Sequence, residues 1–201
     1  MTSDAFHWYD ANVEQVADAY EAVDSEVLHG WLAARLPARG ARALDVGAGT
    51  GRDAAWLASK GLAVVAAEPA HAMRALAERR HAGLAVTWVD DALPALSRVR
   101  ALGVAFDLVL MSAVWMHVDP DERAGAFDAI ASLLAPGGLL AMTLRHGPPD
   151  LGRFMHPVSA DEVERLAHAH GFFVEHCADA PDRRRREGVS WTQVGVRRPA
   201  G

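Results

Sequence analysis

The sequence lacks several features that mark whole classes of protein. Cys177 is its one cysteine, which excludes an intramolecular disulfide and a zinc site built from several thiolates. No apolar run is long enough to span a membrane, and the first residues show no basic-then-apolar signal pattern. A net charge of −6 argues against a generally basic surface for nucleic acid. We therefore expect a soluble, cytoplasmic protein with no membrane partner.

Internal repeats and dividing linkers are also missing. The 201 residues are 51% hydrophobic, enough for one domain with a sizeable core. Apolar residues recur with a helical period over residues 10–36, and Pro37 and Gly40 close that pattern. We expect residues 1–40 to form a helical cap within the same domain as residues 41–201. The four rings of residues 6–9 precede the predicted helix and lie outside any regular element.

The most informative stretch is an apolar run that ends at Asp45 and is followed by Gly47, Gly49 and Gly51. A helix-forming segment begins directly behind it, at Arg52. This layout predicts a buried strand, a tight turn and a helix whose free N–H groups face the turn. Glycine removes a Cβ where the backbone bends sharply or where a ligand lies against it. The stretch therefore predicts a site for a nucleotide-like ligand.

The spacing of these glycines separates the candidate ligands. A dinucleotide fingerprint needs a glycine where Arg52 stands, and no Gly-Lys-Ser/Thr follows, which excludes a phosphate-binding P-loop. The stretch resembles motif I of the class I S-adenosylmethionine-dependent methyltransferases, an acidic residue followed by Gly-x-Gly-x-Gly. A second apolar segment ends in Glu68, 17 residues past Gly51. At that position the family holds the two ribose hydroxyls with a carboxylate.

The resemblance covers residues 44 to about 196 and includes a Phe-Asp-x-Val strand at residues 106–109 and Leu-x-Pro-Gly-Gly at residues 134–138. It implies an α/β fold: a three-layer Rossmann-like sandwich whose seven-stranded sheet is mostly parallel, with an antiparallel last strand. Residues 139–144 are expected to form the fifth strand, and residues 93–102 a short helix with Pro94 in its first turn. Capping patterns at Asp119 and Ser159 predict two further helix starts.

The resemblance implies S-adenosylmethionine as the cofactor. Met73 would pack on the adenine, although a methionine at helical spacing can equally be plain core. One of Asp90 and Asp91 would accept from the adenine amino group; we favour Asp90 by motif position, and the backbone turn decides between them. The predicted cofactor residues are Asp45, Gly47, Ala48, Gly49, Gly51, Arg52, Glu68, Pro69, Met73, Asp90, Asp91, Ala92 and Ser112.

Methyl transfer is an in-line displacement in which the protein supplies alignment and sometimes a base. His117 and His146 follow strands that are expected to end at the reacting methyl group, and imidazole accepts protons near neutral pH. For His117 the alternative is a histidine at a helix entry that is hydrogen-bonded to backbone. For His146 it is a loop residue beside the site without proton transfer. No histidine pair has a metal-ligand spacing, so we expect no metal. The candidate substrate contacts are Trp8, Tyr9, Tyr20, Trp115, Met116 and Arg145.

Methylation of O, N or S in a small molecule is the leading functional prediction, because no RNA- or protein-binding domain is appended. One alternative is an RNA or protein methyltransferase that recruits its substrate through the arginine turn at residues 183–186. The other is a non-catalytic, cofactor-binding partner of another protein. We favour a solvated turn, partly neutralised by Asp179, Asp182 and Glu187, over an anion site. A monomer and a homodimer are both compatible with the sequence.

Overall fold

β1 (Arg42–Val46) is an interior strand of a seven-stranded sheet in the computed structural model, which describes residues 3–148 and 151–201. Its residues after Arg42 are all buried, as expected for a strand that is covered on both faces. The other strands are β2 (Ala63–Ala67), β3 (Val86–Val89), β4 (Phe106–Ser112), β5 (Leu134–His146), β6 (Phe173–Pro181) and β7 (Ser190–Arg197).

The strand order is β3-β2-β1-β4-β5-β7-β6. β1 to β5 pair in parallel, and β7 is antiparallel to both of its neighbours, so β6 runs parallel to β5. This confirms the predicted Rossmann-like sheet with an antiparallel last strand. The order reverses between β1 and β4. In open α/β sheets, ligands bind outside the carboxyl ends of the strands at such a switch point.

Three helices precede the sheet: α1 (Ser3–Ala11), α2 (Val13–Glu21) and α3 (Ser25–Leu28), followed by a 3₁₀ turn at Gly30–Leu32. The prediction of one helix over residues 10–36 is therefore wrong. The Asn12 side chain donates to the Trp8 carbonyl at 2.7 Å, and Asp24 accepts from the Glu26 N–H at 2.7 Å. Such side-chain bonds end one helix and begin another. The rings of residues 6–9 consequently lie on α1, not before it.

The remaining helices are α4 (Arg52–Ser59), α5 (His71–Arg80), α6 (Ser97–Ala101), α7 (Arg123–Leu133) and α8 (Ala160–Ala169), with 3₁₀ turns at Trp115–His117, Pro120–Glu122 and Leu151–Arg153. Asp119 and Ser159 accept backbone N–H groups at the two predicted helix starts. Two boundaries differ from prediction. α6 begins at Ser97, because Asp91 accepts the Val99 N–H at 2.8 Å. β5 begins at Leu134, where its pairing with β4 shifts register.

Apolar side chains pack on both faces of the sheet. Leu44, Val109 and Phe127 belong to the cluster under α7 and α8, and Leu57 and Leu110 to the cluster under α4. Burying a side chain of this size contributes about 1.5–3 kcal/mol, so these two layers fix the strand ends that carry the site. Within the described residues, no helix is long and apolar enough to cross a membrane.

Gly51 offers a test of the loop that leads into α4. Its φ is +83°, and an added Cβ would lie 2.6 Å from Cη2 of Trp88. Gly83 has a similar φ of +92° with nothing within 4 Å of its Cβ position. We expect Gly51→Ala to lower the free energy of unfolding by about 2–4 kcal/mol, through strain and overpacking together. Gly83→Ala should cost only about 1 kcal/mol. Urea unfolding measures both, and equal losses would contradict the Trp88 contact.

Candidate functional site

A cavity of about 210 Å³ lies at the carboxyl ends of β1 and β4. Its lining comes from distant parts of the chain: the glycine loop after β1, the ends of β4 and β5, helices α1 and α2, and the turn between β6 and β7. The parallel sheet explains this convergence, because the carboxyl ends of its strands meet at one edge.

The glycine loop forms the floor of the cavity. The N–H groups of Gly47 and Ala48 both donate to the Ala67 carbonyl, at 2.8 and 3.1 Å, which ties the loop to the end of β2. Gly47 has a φ of +68°, and Val114 occupies the space that its Cβ would need. Nothing lies within 4 Å of the Cβ position at Gly49. The loop backbone there is open to a ligand.

Glu68 follows β2 and lines the cavity with only 7% of its surface exposed. Its carboxylate accepts the Gly49 N–H at 2.7 Å and the Ala70 N–H at 2.8 Å. Burial raises the pKa of Glu68 to about 7, against the lowering effect of the two N–H groups and Arg74, while Asp10 adds to the rise. A carboxylate has about four acceptor positions. Two therefore remain for a ligand.

Asp45 is 1% exposed and also lines the cavity. Its Oδ2 has no hydrogen-bond partner within the described part of the chain. Burial, and then the charge of Asp53, raise the pKa of this carboxyl well above its usual range. A buried acceptor without a donor costs free energy, so the geometry suits a ligand that brings a donor to this oxygen.

Asp53 joins α4 to the N-terminal helices. Its carboxylate accepts Arg52 Nε and Nη2, both at 2.9 Å, and Ser25 Oγ at 2.7 Å. His29 Nε2 lies 3.1 Å away. Burial alone would raise the pKa of Asp53, but His29 and Arg52 hold it well below its usual range. Sequence reasoning missed this network, since no spacing pattern links residues 25 and 29 to residue 53.

His117, Tyr9 and Tyr20 meet on another wall of the cavity. His117 Nδ1 lies 3.0 Å from the Arg153 carbonyl, which can only accept, so this nitrogen carries the proton. Nε2 then accepts from the Tyr9 hydroxyl at 3.2 Å, and Tyr20 reaches Tyr9 at 3.5 Å. Burial lowers the pKa of His117 to about 4 and raises that of Tyr9. Both groups are neutral at neutral pH.

Known proteins share the segment that carries this loop. Residues 43–138 match the family described as methyltransferase domain. Uncharacterised methyltransferases of Mycobacterium bovis and Mycobacterium tuberculosis are 35% identical over 131 residues, 61% of this chain and 43% of theirs. The chain thus spans less than half the length of these relatives.

Solved structures share the fold of the whole chain. The 1,6-didemethyltoxoflavin-N1-methyltransferase of Burkholderia thailandensis has a TM-score of 0.73 at 22% identity, over 98% of this chain and 88% of its own. The [4+2]-cyclase SpnF has a TM-score of 0.69 at 19% identity, over 88% and 81%. The chain has the class I methyltransferase fold. Because a cyclase shares that fold, likeness of fold alone does not fix the reaction.

The structure brings most of the cofactor residues expected from the sequence resemblance to the cavity: Asp45, Gly47, Ala48, Gly49, Arg52, Glu68, Met73 and Ser112. The others lie outside the lining: Gly51, Pro69, Asp90, Asp91 and Ala92. Asp90 pairs with Arg74 at 3.4 Å and Arg98 at 3.2 Å. Asp91 accepts the N–H groups of Ala92 and Val99. The expected adenine contact of Asp90 therefore has no support in this geometry.

The expected catalytic and substrate-contacting residues also divide into those that line the cavity and those that do not. Tyr9, Tyr20, Met116, His117 and Arg145 line the cavity, whereas Trp8, Trp115 and His146 do not. Trp115 is core, 1% exposed, and Trp8 stacks with Arg153, 4.9 Å from the ring centre. Since Arg145 faces the cavity, its neighbour His146 faces the other side of β5, where Nε2 lies 2.8 Å from Thr192 Oγ1. This placement argues against His146 as the base.

Glu68 and His117 give opposite contributions to stability as pH changes. The folded pKa of Glu68, about 7, lies above its ordinary 4.5, so its contribution falls as pH rises from 4.5 to 7. The folded pKa of His117, about 4, lies below its ordinary 6.5, so its contribution rises as pH rises from 4 to 6.5. Each amounts to at most about 3 kcal/mol.

We expect these two slopes largely to cancel in the wild type. His117→Asn should leave a protein whose free energy of unfolding falls, relative to wild type, as pH rises through this window. Glu68→Gln should show the opposite trend. Urea unfolding at several pH values between about 4.5 and 7, at constant ionic strength, measures both trends. Curves parallel to the wild type for both variants would refute the assigned shifts.

Proposed function

We propose that this protein is an S-adenosylmethionine-dependent methyltransferase that acts on O, N or S of a small molecule. The main support is a single contact: the glycine loop is open to a ligand and is hydrogen-bonded to the buried Glu68 carboxylate in the cavity. Both belong to the segment that matches the methyltransferase domain model. When bound, S-adenosylmethionine supplies an activated methyl group together with its leaving group. The chain's own residues then bind, align and exclude water.

Three features of the cavity fit that cofactor. The two acceptor positions left on Glu68 suit the adjacent hydroxyls of a ribose. The unpartnered Oδ2 of Asp45 suits an ammonium donor. Met73, 1% exposed and part of the lining, offers an apolar surface to a base. The Arg52 guanidinium is engaged by Asp53 and the Tyr20 carbonyl, so it serves to shape the site.

Cofactor binding tests this proposal directly. Calorimetry should show micromolar-scale binding of S-adenosylmethionine or S-adenosylhomocysteine and no comparable binding of NAD. Glu68→Ala should weaken that binding at least about tenfold, because hydrogen bonds to a charged group contribute about 1.5–3 kcal/mol each. The exposed Glu78, on α5, provides a matched control. Because Glu68 also holds two backbone N–H groups, affinity is to be measured well below the variant's unfolding temperature. Tight binding of NAD would contradict the proposal.

We further propose that the Tyr9–His117 pair accepts the proton that a hydroxyl or amine loses on methylation. Tyr9 lines the cavity and donates its proton to His117 Nε2. A substrate proton can move to the Tyr9 oxygen while the tyrosine proton moves to Nε2. His117 begins neutral, as an acceptor must. The Arg153 carbonyl favours the imidazolium that forms, whereas burial and the charge of the Arg153 side chain oppose it.

Kinetics should separate this role from plain packing. His117→Ala should lower kcat by about 10²–10⁴-fold, the usual contribution of a general base. Tyr9→Phe should lower kcat in the same direction with little change in cofactor affinity. His146→Ala is the matched control, because that imidazole lies outside the cavity lining, and it should retain activity. Full activity in both site variants would show that the site works by positioning alone.

A further inference from the structure

The outer part of the cavity carries a concentration of arginines that the proposed chemistry does not use. Arg183, Arg184 and Arg186 come from the turn between β6 and β7, Arg145 from β5 and Arg153 from the Leu151–Arg153 turn. β6 runs parallel to β5, so the turn after Pro181 lies over the same sheet edge as the glycine loop. The arginines thus line the cavity itself instead of facing away from it.

One ion pair holds this turn in shape. Asp182 accepts Arg186 Nη2 at 2.7 Å and Nε at 3.1 Å, and also the Trp191 indole N–H at 2.9 Å. These donors, Arg186 foremost, hold the pKa of Asp182 well below its usual range. The side chain of Asp182 is 4% exposed. Its acceptor positions are therefore taken up inside the turn.

Arg183 and Arg184 have no such partner in the part of the chain that the structure describes. Both are exposed, and the described residues contain no ion pair with either of them. Asp179 faces the other side of the sheet, where it accepts from Thr192 at 3.1 Å. We expected Asp179, Asp182 and Glu187 to neutralise the turn in part. Within the described residues, none of the three forms an ion pair with Arg183 or Arg184. Their charge is concentrated at the cavity although the chain as a whole carries −6.

Three of the four carboxylates that line the cavity lie around the glycine loop. Asp45, Asp53 and Glu68 surround the glycine loop, whereas Asp182 is the one carboxylate among the lining residues of the outer part. A cleft whose two ends carry opposite charges attracts anions to its positive end and cations to its negative end. Guanidinium groups bind carboxylate and phosphate oxygens through paired N–H donors. We propose, resting on the methyltransferase function, that the methyl acceptor is a small anion whose carboxylate or phosphate is held by Arg183 and Arg184.

The test follows tritiated methyl groups from S-adenosylmethionine into a cell extract, with small molecules separated by anion exchange at neutral pH. The wild type should label the anionic fraction. For the purified acceptor, Arg183→Ser/Arg184→Ser should raise KM about ten- to a hundredfold, with little change in kcat or in cofactor affinity by calorimetry. Arg79→Ser/Arg100→Ser removes two exposed arginines from outside the cavity and should change nothing.

The outcomes separate the two proposals. Label in the neutral or cationic fraction would overturn the anionic acceptor and leave the methyltransferase function standing, as would an unchanged KM in the Arg183/Arg184 variant. Label in RNA or protein would overturn the small-molecule acceptor. Cofactor binding without label in any pool would overturn the methyltransferase function itself, and this inference with it.

Discussion

The hydrogen bond from the Gly49 N–H to the buried Glu68 carboxylate is the contact on which the rest of the site depends. It joins the loop after β1 to the residue after β2, two neighbouring strands whose own pairing is fixed by apolar packing. A carboxylate that is desolvated to this degree persists because backbone donors replace water. The same group therefore shapes the loop and keeps acceptor capacity directed toward the cavity. Binding capacity and local stability cannot be varied independently here.

The N-terminal helices form the other half of the cavity, and polar contacts hold them in addition to the apolar packing of Val16 with Ala70 and Met73. Asp10 on α1 accepts the Ala72 N–H at 2.6 Å, Tyr20 accepts from Arg52, and Ser25 donates to Asp53. Each contact ends on the first turn of α4 or α5, where free N–H groups and charged side chains gather. The helices are thus placed relative to the loop by bonds of defined direction, which keeps Tyr9 against His117.

The sequence predicted what depends on local pattern and missed what depends on contact across the fold. The family resemblance gave the sheet, glycine spacing gave the loop, and capping residues gave the starts near Asp119 and Ser159. The long helix over residues 10–36 was wrong because Asn12 and Asp24 bond locally to the backbone and interrupt a good apolar period. The predicted placement of His146 was wrong because neighbouring residues of a strand point to opposite faces of the sheet. Pairing of β5 with β7 sets which face Arg145 occupies, and His146 then points to the other face.

The acidic and basic residues likewise divide into those that local sequence pattern predicts and those whose surroundings depend on contacts across the fold. The place of Glu68 in the cavity lining could be predicted, since its position after a strand and behind a glycine loop fixes its surroundings. Asp90 could not, because Arg74 and Arg98 reach it from two different helices. For the arginine turn, composition alone suggested mutual neutralisation, yet one carboxylate, Asp182, is bound so fully by Arg186 and Trp191 that it cannot serve two further arginines. Net charge is a property of the chain, whereas the charge that a substrate meets is set by which side chains are already paired.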